Sequence, residues 1–399
     1  MPLHPCLPDD LYTGTLVARI WNPQSPGGTA GPSVVVLRPD GIYALDAHVA
    51  TMSGLLEAEK PAALVAGCAG QRVGSLEDVL ANSHEPRRDP QQPFFLSPCD
   101  LQVIKAAGVT FAASMIERVI EEKAGGDASR AQAIRTQVLA QIGTDLRAIK
   151  PGSAQALQLK AALQAQGIWS QYLEVGIGKD AEVFTKAPVL SSVGTGSDVG
   201  IRSDSHWNNP EPEVVLAVNS RGVIQGAALG NDVNLRDIEG RSALLLGKAK
   251  DNNASCAIGP FIRLFDASFG LEQVRREVVQ LQVRGEDGFV MDGINSMDQI
   301  SRDPLELVEQ VMGAHQYPDG FMLFMGTLFA PTQDRDQPGA GFTHHLGDTV
   351  SIRSPHLGGL VNRVQHSEAV APWRFGLRAL FANLAARGLL VPQAAEEMR

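Results

Sequence analysis

Cysteine is scarce in this 399-residue chain, and Cys6, Cys68, Cys99 and Cys256 are scattered without pair spacing. That pattern indicates neither a disulfide framework nor a zinc cage, and it suits a reducing compartment. Basic residues are also in short supply, 34 against 44 acidic, for a net charge of −10. No cationic excess is available to neutralise phosphates, and no basic stripe is interleaved with aromatics, so a nucleic-acid partner is not expected. There is no 18-residue apolar run to cross a bilayer, and residues 1–5 have neither the charged start nor the apolar core of a secretory signal. The expectation is a cytoplasmic protein without a membrane partner. What is present is 44% hydrophobic and 20% charged, enough for one large core or two moderate ones.

The most informative stretch runs from Val199 to Pro260. Pro210-Glu211-Pro212-Glu213 leads into Val214–Val218, an aliphatic, β-branched run that reads as a buried strand. Side chains two apart on a strand share a face, so Glu211 and Glu213 point the same way. Asn219-Ser220-Arg221-Gly222 is a turn signal, and the apolar run after it ends at Asp232. A hairpin would return Asp232 to the two glutamates. Three convergent carboxylates in an apolar setting require neutralisation, for which a hard divalent cation with oxygen ligands is the usual solution. On spacing alone, Glu-x-Glu on a strand also reads as a solvated face.

Pro210-Glu211-Pro212-Glu213, Asn231-Asp232-Val233-Asn234-Leu235-Arg236-Asp237, Ala249-Lys250, Ala254-Ser255-Cys256 and Gly259-Pro260 occur in that order. As a set they resemble the fumarylacetoacetate hydrolase superfamily, over about Leu101 to Val364. The resemblance implies a mixed β-sandwich roll. It also implies Mg2+, or Mn2+ or Ca2+, held by Glu211, Glu213 and Asp232, with Lys250 beside a 2-oxo acid substrate. Lys248 is the alternative lysine, and the spacing to Cys256 favours Lys250. Arg236, Glu239 and Thr327 are the implied substrate contacts, and a homodimer or homotetramer is expected.

Elsewhere the pattern is α+β. Residues 1–98 read as a small N-terminal α+β domain, with hairpins between Thr13 and Ile42 and two amphipathic helices between Thr51 and Leu80. The proline-rich stretch 83–98 reads as a linker, and residues 99–399 as the catalytic domain. Leu101–Gly108 reads as a strand, followed by a helix running to Lys123 with Ser114 as its N-cap. Where the superfamily's hydrolases carry a histidine, followed three residues later by glutamate, this chain has Ser114 and then Glu117; both are candidate catalytic residues. A helical insertion is expected near 128–167, and a terminal helix over 373–390. Gly194–Gly200 lacks the lysine of a phosphate loop and reads as an ordinary loop. The polar segment 331–345 has the length of a lid, with His344 and His345 facing solvent, and His206 reads as a rim residue.

A cation at such a site polarises the carbonyl of a 2-oxo acid, and a lysine desolvated beside it has a lowered pKa, so Lys250 reads as the proton-transfer residue. Ser114 in place of histidine weakens hydrolysis, and Gly200–Trp207 is similar to the stretch preceding the Glu-x-Glu in the superfamily's sugar-acid dehydratases. The resemblance therefore implies dehydration of a 2-keto-3-deoxypentonate to 2-oxoglutarate semialdehyde (2,5-dioxopentanoate) in pentose catabolism. Carbon–carbon hydrolysis of an acylpyruvate, decarboxylation of an oxaloacetate-like acid, and a metal-stabilised scaffold without catalysis are the alternatives.

Overall fold

Strands form where β-branched and aliphatic residues cluster between turn residues. In the computed structural model, which describes residues 5–25, 28–142, 149–165, 167 and 169–390 (139–142 by backbone only), the chain opens with β1 (Leu16–Asn22), β2 (Gly31–Arg38) and β3 (Gly41–Ala44). Helices α1 (Met52–Leu56) and α2 (Pro61–Gly67), strand β4 (Gln71–Gly74), helix α3 (Leu76–Ser83) and strand β5 (Phe94–Leu96) follow. Next come β6 (Val103–Gly108), the helices α4 (Ala112–Ala124), α5 (Ala128–Ile142), α6 (Ala154–Ala165) and α7 (Gln171–Ile177), and then β7 (Glu182–Ala187) and β8 (Asp198–Ile201). The central part comprises β9 (Asn208–Asn209), β10 (Pro212–Val218), β11 (Ile224–Asp232), β12 (Asn234–Leu235), α8 (Arg236–Glu239), α9 (Leu246–Lys250), β13 (Cys256–Ile258) and β14 (Ile262–Leu264). The chain closes with α10 (Leu271–Val274), β15 (Val278–Arg284), β16 (Val290–Ser296), α11 (Pro304–Met312), β17 (Phe321–Phe324), β18 (Thr349–Ser354), β19 (Gly358–His366) and α12 (Leu377–Ala386).

One twelve-stranded sheet has the order β4-β3-β2-β1-β14-β11-β10-β17-β6-β7, with β5 on β1 and β13 on β11; a five-stranded sheet has the order β16-β15-β18-β19-β8. Even-numbered positions of β10 (Val214, Leu216, Val218) pack with Leu281, Ile352 and Leu360 of the smaller sheet, whereas Val215 and Ala217 pack on the opposite side with Ile104 and Phe324. Strand β10 is therefore buried on both faces, which is why its sequence carries no polar alternation. Gly230, opposite Glu213, is a glycine because a Cβ there would lie 2.3 Å from the Phe324 ring. The Asn219–Gly222 turn closes the β10–β11 hairpin, with the Gly222 N–H donating to the Asn219 carbonyl at 3.0 Å. Among the described residues, no helix is long and apolar enough to cross a membrane.

Several expectations change. Strand β1 pairs with β14, so one sheet runs through the boundary drawn near Cys99, and the stretch read as a linker contributes β5, whose Phe95 is buried opposite Ile20. Ser114 is not an N-cap: α4 begins two residues earlier, after Phe111, and the Ser114 hydroxyl donates back to the Phe111 carbonyl at 3.0 Å. The 194–200 stretch is not wholly loop, because β8 starts at Asp198 and runs parallel to β19. His344 is buried rather than solvent-facing, with Nδ1 3.1 Å from Asp348, because Phe342 and Arg335 draw the 331–345 segment inward. The insertion is helical over 128–142 and 154–165, with 143–148 and 166 outside the described residues.

The C-terminal helix is pinned by a buried pair. Arg387 Nη2 lies 3.0 Å from Asp46 Oδ1 and donates to Ser33 Oγ at 2.9 Å, while Asn383 donates to the Ala30 carbonyl at 2.8 Å. Removing one member of such a pair strands the other charge out of water. Arg387→Met should therefore cost about 3–5 kcal/mol in denaturant unfolding, and adding Asp46→Asn should recover part of it. A loss below about 0.5 kcal/mol would show that the helix is not anchored by this contact.

Candidate active site and metal centre

The hairpin register sets the centre. Pro212 faces Asn231 across the ladder, and the Asp232 N–H donates to the Glu211 carbonyl at 3.0 Å, so Glu211 and Asp232 lie side by side with Glu213 one step along the same face. All three are 4% exposed or less, and each offers an oxygen within 4.8 Å of the other two. At an effective dielectric near 20, each such pair repels by about 3.5 kcal/mol, so the three together approach the stability of a whole domain. Compensation is obligatory.

Cations supply part of it. Lys250 Nζ lies 2.5 Å from Glu211 Oε2 and 3.1 Å from Asp232 Oδ2, and the fully buried Lys186 Nζ lies 2.8 Å from Asp232 Oδ1. Lys186 also donates to the carbonyl of Lys250, the last residue of α9, and to that of Val233 at 3.1 Å. Arg118 bonds Glu211 Oε1 and reaches Glu121 at 2.7 Å and Glu239 at 3.0 Å. The carboxylates Glu117, Glu121, Glu182, Glu211, Glu213, Asp232 and Glu239 thus face Arg118, Arg135, Lys186, Arg236 and Lys250, seven against five. An excess of two negative charges is what one divalent cation would neutralise. The donor set fits as well: Glu213 Oε2 accepts the Gly326 N–H at 2.6 Å, while no hydrogen bond meets its Oε1 among the described residues. The buried acidic triad can hold a metal of the hard, oxygen-preferring type.

Titration follows the same geometry. Burial, then Asp232 and Glu211, push the Glu213 carboxyl well above the usual carboxylate range. Burial raises Asp232 too, but Lys186 and Lys250 overcome it and hold Asp232 low. For Lys250 the outcome is the opposite of the lowering expected from desolvation: burial pulls it down, and Asp232, Glu211 and Glu239 outweigh burial, so it stays protonated. Glu182, chiefly by burial and then by Glu239, is raised to about 7.

The other expected residues cluster at two adjoining voids of about 30 and 20 Å3. Glu182, Glu213, Asp232, Glu239 and Lys250 line the inner one, Glu117 and Arg236 the outer one, and Ser114, Arg118, Glu211 and Thr327 both. Glu117 is held by Arg135 through two hydrogen bonds of 2.9 and 2.7 Å. Arg236 donates to Glu121 at 2.7 Å and to the Pro331 carbonyl at 3.2 Å, and stacks over Trp207 at 4.2 Å. Thr327 Oγ1 accepts from the Phe329 N–H at 3.1 Å. Lys248 lies outside the cluster, exposed and 3.3 Å from Asp204; His206 is exposed and His345 half-buried. Arg118, Glu121, Glu182 and Lys186 escape a motif-based reading. Their signals are periodic: Ser114, Glu117, Arg118 and Glu121 recur at helical spacing, and Glu182 and Lys186 lie four apart on a strand, hence on one face.

These charges give a signed expectation. A raised folded pKa means that the cation-free fold loses stability as pH rises from the ordinary glutamate value of 4.5 through the folded value. Above pH 7 without cation, Glu213→Gln should melt higher than wild type. Added Mg2+ should raise the wild-type melting temperature and leave the variant unmoved; an equal Mg2+ response in both would remove Glu213 from the ligand set.

Comparison with known proteins agrees with this architecture. No protein-family profile matches the chain. It is 29% identical over 184 residues to the 2-dehydro-3-deoxy-D-arabinonate dehydratase of Saccharolobus solfataricus (46% of this chain, 58% of that protein). It is 31% identical over 193 residues to a probable 2-keto-3-deoxyxylonate dehydratase of Haloferax volcanii (48% and 63%). The chain thus spans about three fifths of the length of the curated relatives it matches. In fold it is similar to 2-keto-3-deoxy-D-arabinonate dehydratase, both without ligand and complexed with magnesium and 2,5-dioxopentanoate; for each the TM-score is 0.58 at 19% identity, covering 88% of this chain and 99% of the other. The resemblance to the 2-keto-3-deoxy sugar-acid dehydratases of the fumarylacetoacetate hydrolase superfamily is thereby borne out, in sequence over about half of the chain and in fold over most of it.

Proposed function

We propose that the protein is a Mg2+-dependent hydro-lyase that converts a 2-keto-3-deoxypentonate to 2,5-dioxopentanoate and water. The observation that carries this reading is the buried Glu211–Glu213–Asp232 triad clamped by Lys250, in one cleft with an acid–base group, Glu182, that titrates near neutrality. A divalent cation held by the triad supplies Lewis acidity to the carboxylate and C2 carbonyl of a 2-oxo acid. The chain's own groups do the rest. Glu182, ionised above about pH 7, takes the C3 proton, which is acidic because it lies beside the carbonyl. Lys250, held as an ammonium, donates hydrogen bonds towards the developing negative charge instead of acting as the base. The C4 hydroxyl then leaves with a proton, and tautomerisation yields the semialdehyde.

Ser114, Glu117, Arg236, Glu239 and Thr327 ring the remaining space with donors and acceptors, which suits a hydroxylated tail better than an aryl one. Burial raises Glu239, and Arg118, 3.0 Å away, holds the shift back, so the carboxylate fixed by that arginine can accept a hydrogen bond from a substrate hydroxyl. The absence of an imidazole at Ser114 leaves no histidine–glutamate pair there to activate water for hydrolysis.

With Mg2+, the enzyme should turn 2-keto-3-deoxypentonates into a semialdehyde detectable through a coupled aldehyde dehydrogenase, with little pyruvate released from acylpyruvates. Rapid acylpyruvate cleavage with every 3-deoxy-2-oxo sugar acid untouched would replace the dehydratase with a hydrolase. Because the base must be deprotonated, kcat/KM should rise with pH through about 7. Glu182→Gln should lose that limb and about 100- to 10,000-fold in rate. Persistence of the limb in the variant would move the base elsewhere.

A further inference from the structure

A cavity of about 400 Å3 lies apart from the cleft, between β1, β5, residues 190–197 and the C-terminal stretch 370–375, and shares no lining residue with either catalytic void. Its walls are aromatic. Trp21 stacks on Phe94, with centroids 6.3 Å apart and 18° between planes, and meets Phe375 edge-on at 5.9 Å. Arg88 sits over the Phe94 ring at 4.6 Å. Its Nη2 donates to the Ser83 carbonyl at 2.7 Å and to Ser197 Oγ at 2.9 Å, but its Nε is buried and meets no hydrogen-bond acceptor. Burial pulls this guanidinium below its ordinary value, and Glu85, which also lines the cavity, and Asp198 offset the shift only in part. Two wall residues, Leu190 and Ala254, hold φ angles of +64° and +58°, a left-handed backbone that costs of order 1 kcal/mol or more for a residue with a Cβ. Such strain persists where the surroundings fix a shape.

The geometry points to a second ligand site, for a planar aromatic anion. A flat ring fits the Trp21, Phe94 and Phe375 walls, where offset and edge contacts are favourable, and an acidic substituent on it meets the Arg88 guanidinium that lines the same cavity in a charge-assisted contact. A volume of this order accommodates a bicyclic ring with one charged group. The aliphatic 2-oxo acid of the catalytic cleft has no ring to offer these walls, so the two sites select different chemistry. The site is also close to the catalytic framework: Val193, in its wall, pairs with Cys256 and Ile258 of β13, and Cys256 faces Asp232 across the ladder.

Calorimetric titration of the full chain with 2-naphthoate and with its neutral twin 2-naphthylmethanol tests this directly. Naphthoate should bind at one site, with or without Mg2+, and equally well to Glu213→Gln. The neutral twin and Arg88→Met should each bind about 10- to 100-fold more weakly, the range expected for losing a charged hydrogen bond. Trp373→Ala, at the half-exposed rim and therefore safe for folding, should weaken naphthoate binding while leaving the circular dichroism unchanged. Absence of naphthoate binding, equal affinity for the neutral twin, indifference to both Arg88→Met and Trp373→Ala, or loss of binding in Glu213→Gln would each overturn the assignment.

Discussion

Mutual repulsion among Glu211, Glu213 and Asp232 is the constraint on which the rest of the centre depends. Three carboxylates with oxygens within 4.8 Å of one another cannot all remain ionised and dry without opposing charge. The fold answers with Lys186 and Lys250 on Asp232 and with Lys250 and Arg118 on Glu211, and among the described residues no cation contacts Glu213. A protein selected only for stability would replace such a cluster with apolar side chains, which pack without this penalty. Its retention in a strand buried on both faces points to a use for the charge.

Holding the cluster requires a stiff scaffold. Strand β10 is flanked by β11 and β17 and covered on both faces by apolar side chains, so the backbone bearing Glu213 cannot relax away from its neighbours. The β10–β11 hairpin fixes Asp232 against Glu211, and Lys186 ties β7 to both Asp232 and the end of α9. Displacement of any one of these elements would leave a buried charge uncompensated. Order in the acidic centre and order in the sheet are the same requirement.

Much of this was legible in the sequence because it depends on local pattern. The unbroken Val214–Val218 run, the Asn219–Gly222 turn and the two-residue spacing of Glu211 and Glu213 predict the hairpin, and the structure has it in the register that brings Asp232 alongside. Arg118, Glu121, Glu182 and Lys186 were not legible as site residues. They reach the centre through tertiary packing of α4 and β7, and periodicity alone cannot tell a charged face turned to water from one turned to other charges. The N-cap was misplaced by three residues for a similar reason: an N-cap signal is local, whereas the start of α4 is set by Phe111, which is buried in the main core. His344 reads as polar loop in sequence and lies buried, because the Phe342 and Arg335 contacts that draw it in are long-range.

The central proposal is that the triad holds a divalent cation inside the acid–base cleft. Anomalous diffraction from crystals grown with Mn2+ tests it most directly. One strong peak is expected within bonding distance of Glu211, Glu213 and Asp232, with Lys250 still adjacent. Flat anomalous density there at saturating Mn2+, with Glu211 still bonded to Arg118 and Lys250, would contradict it.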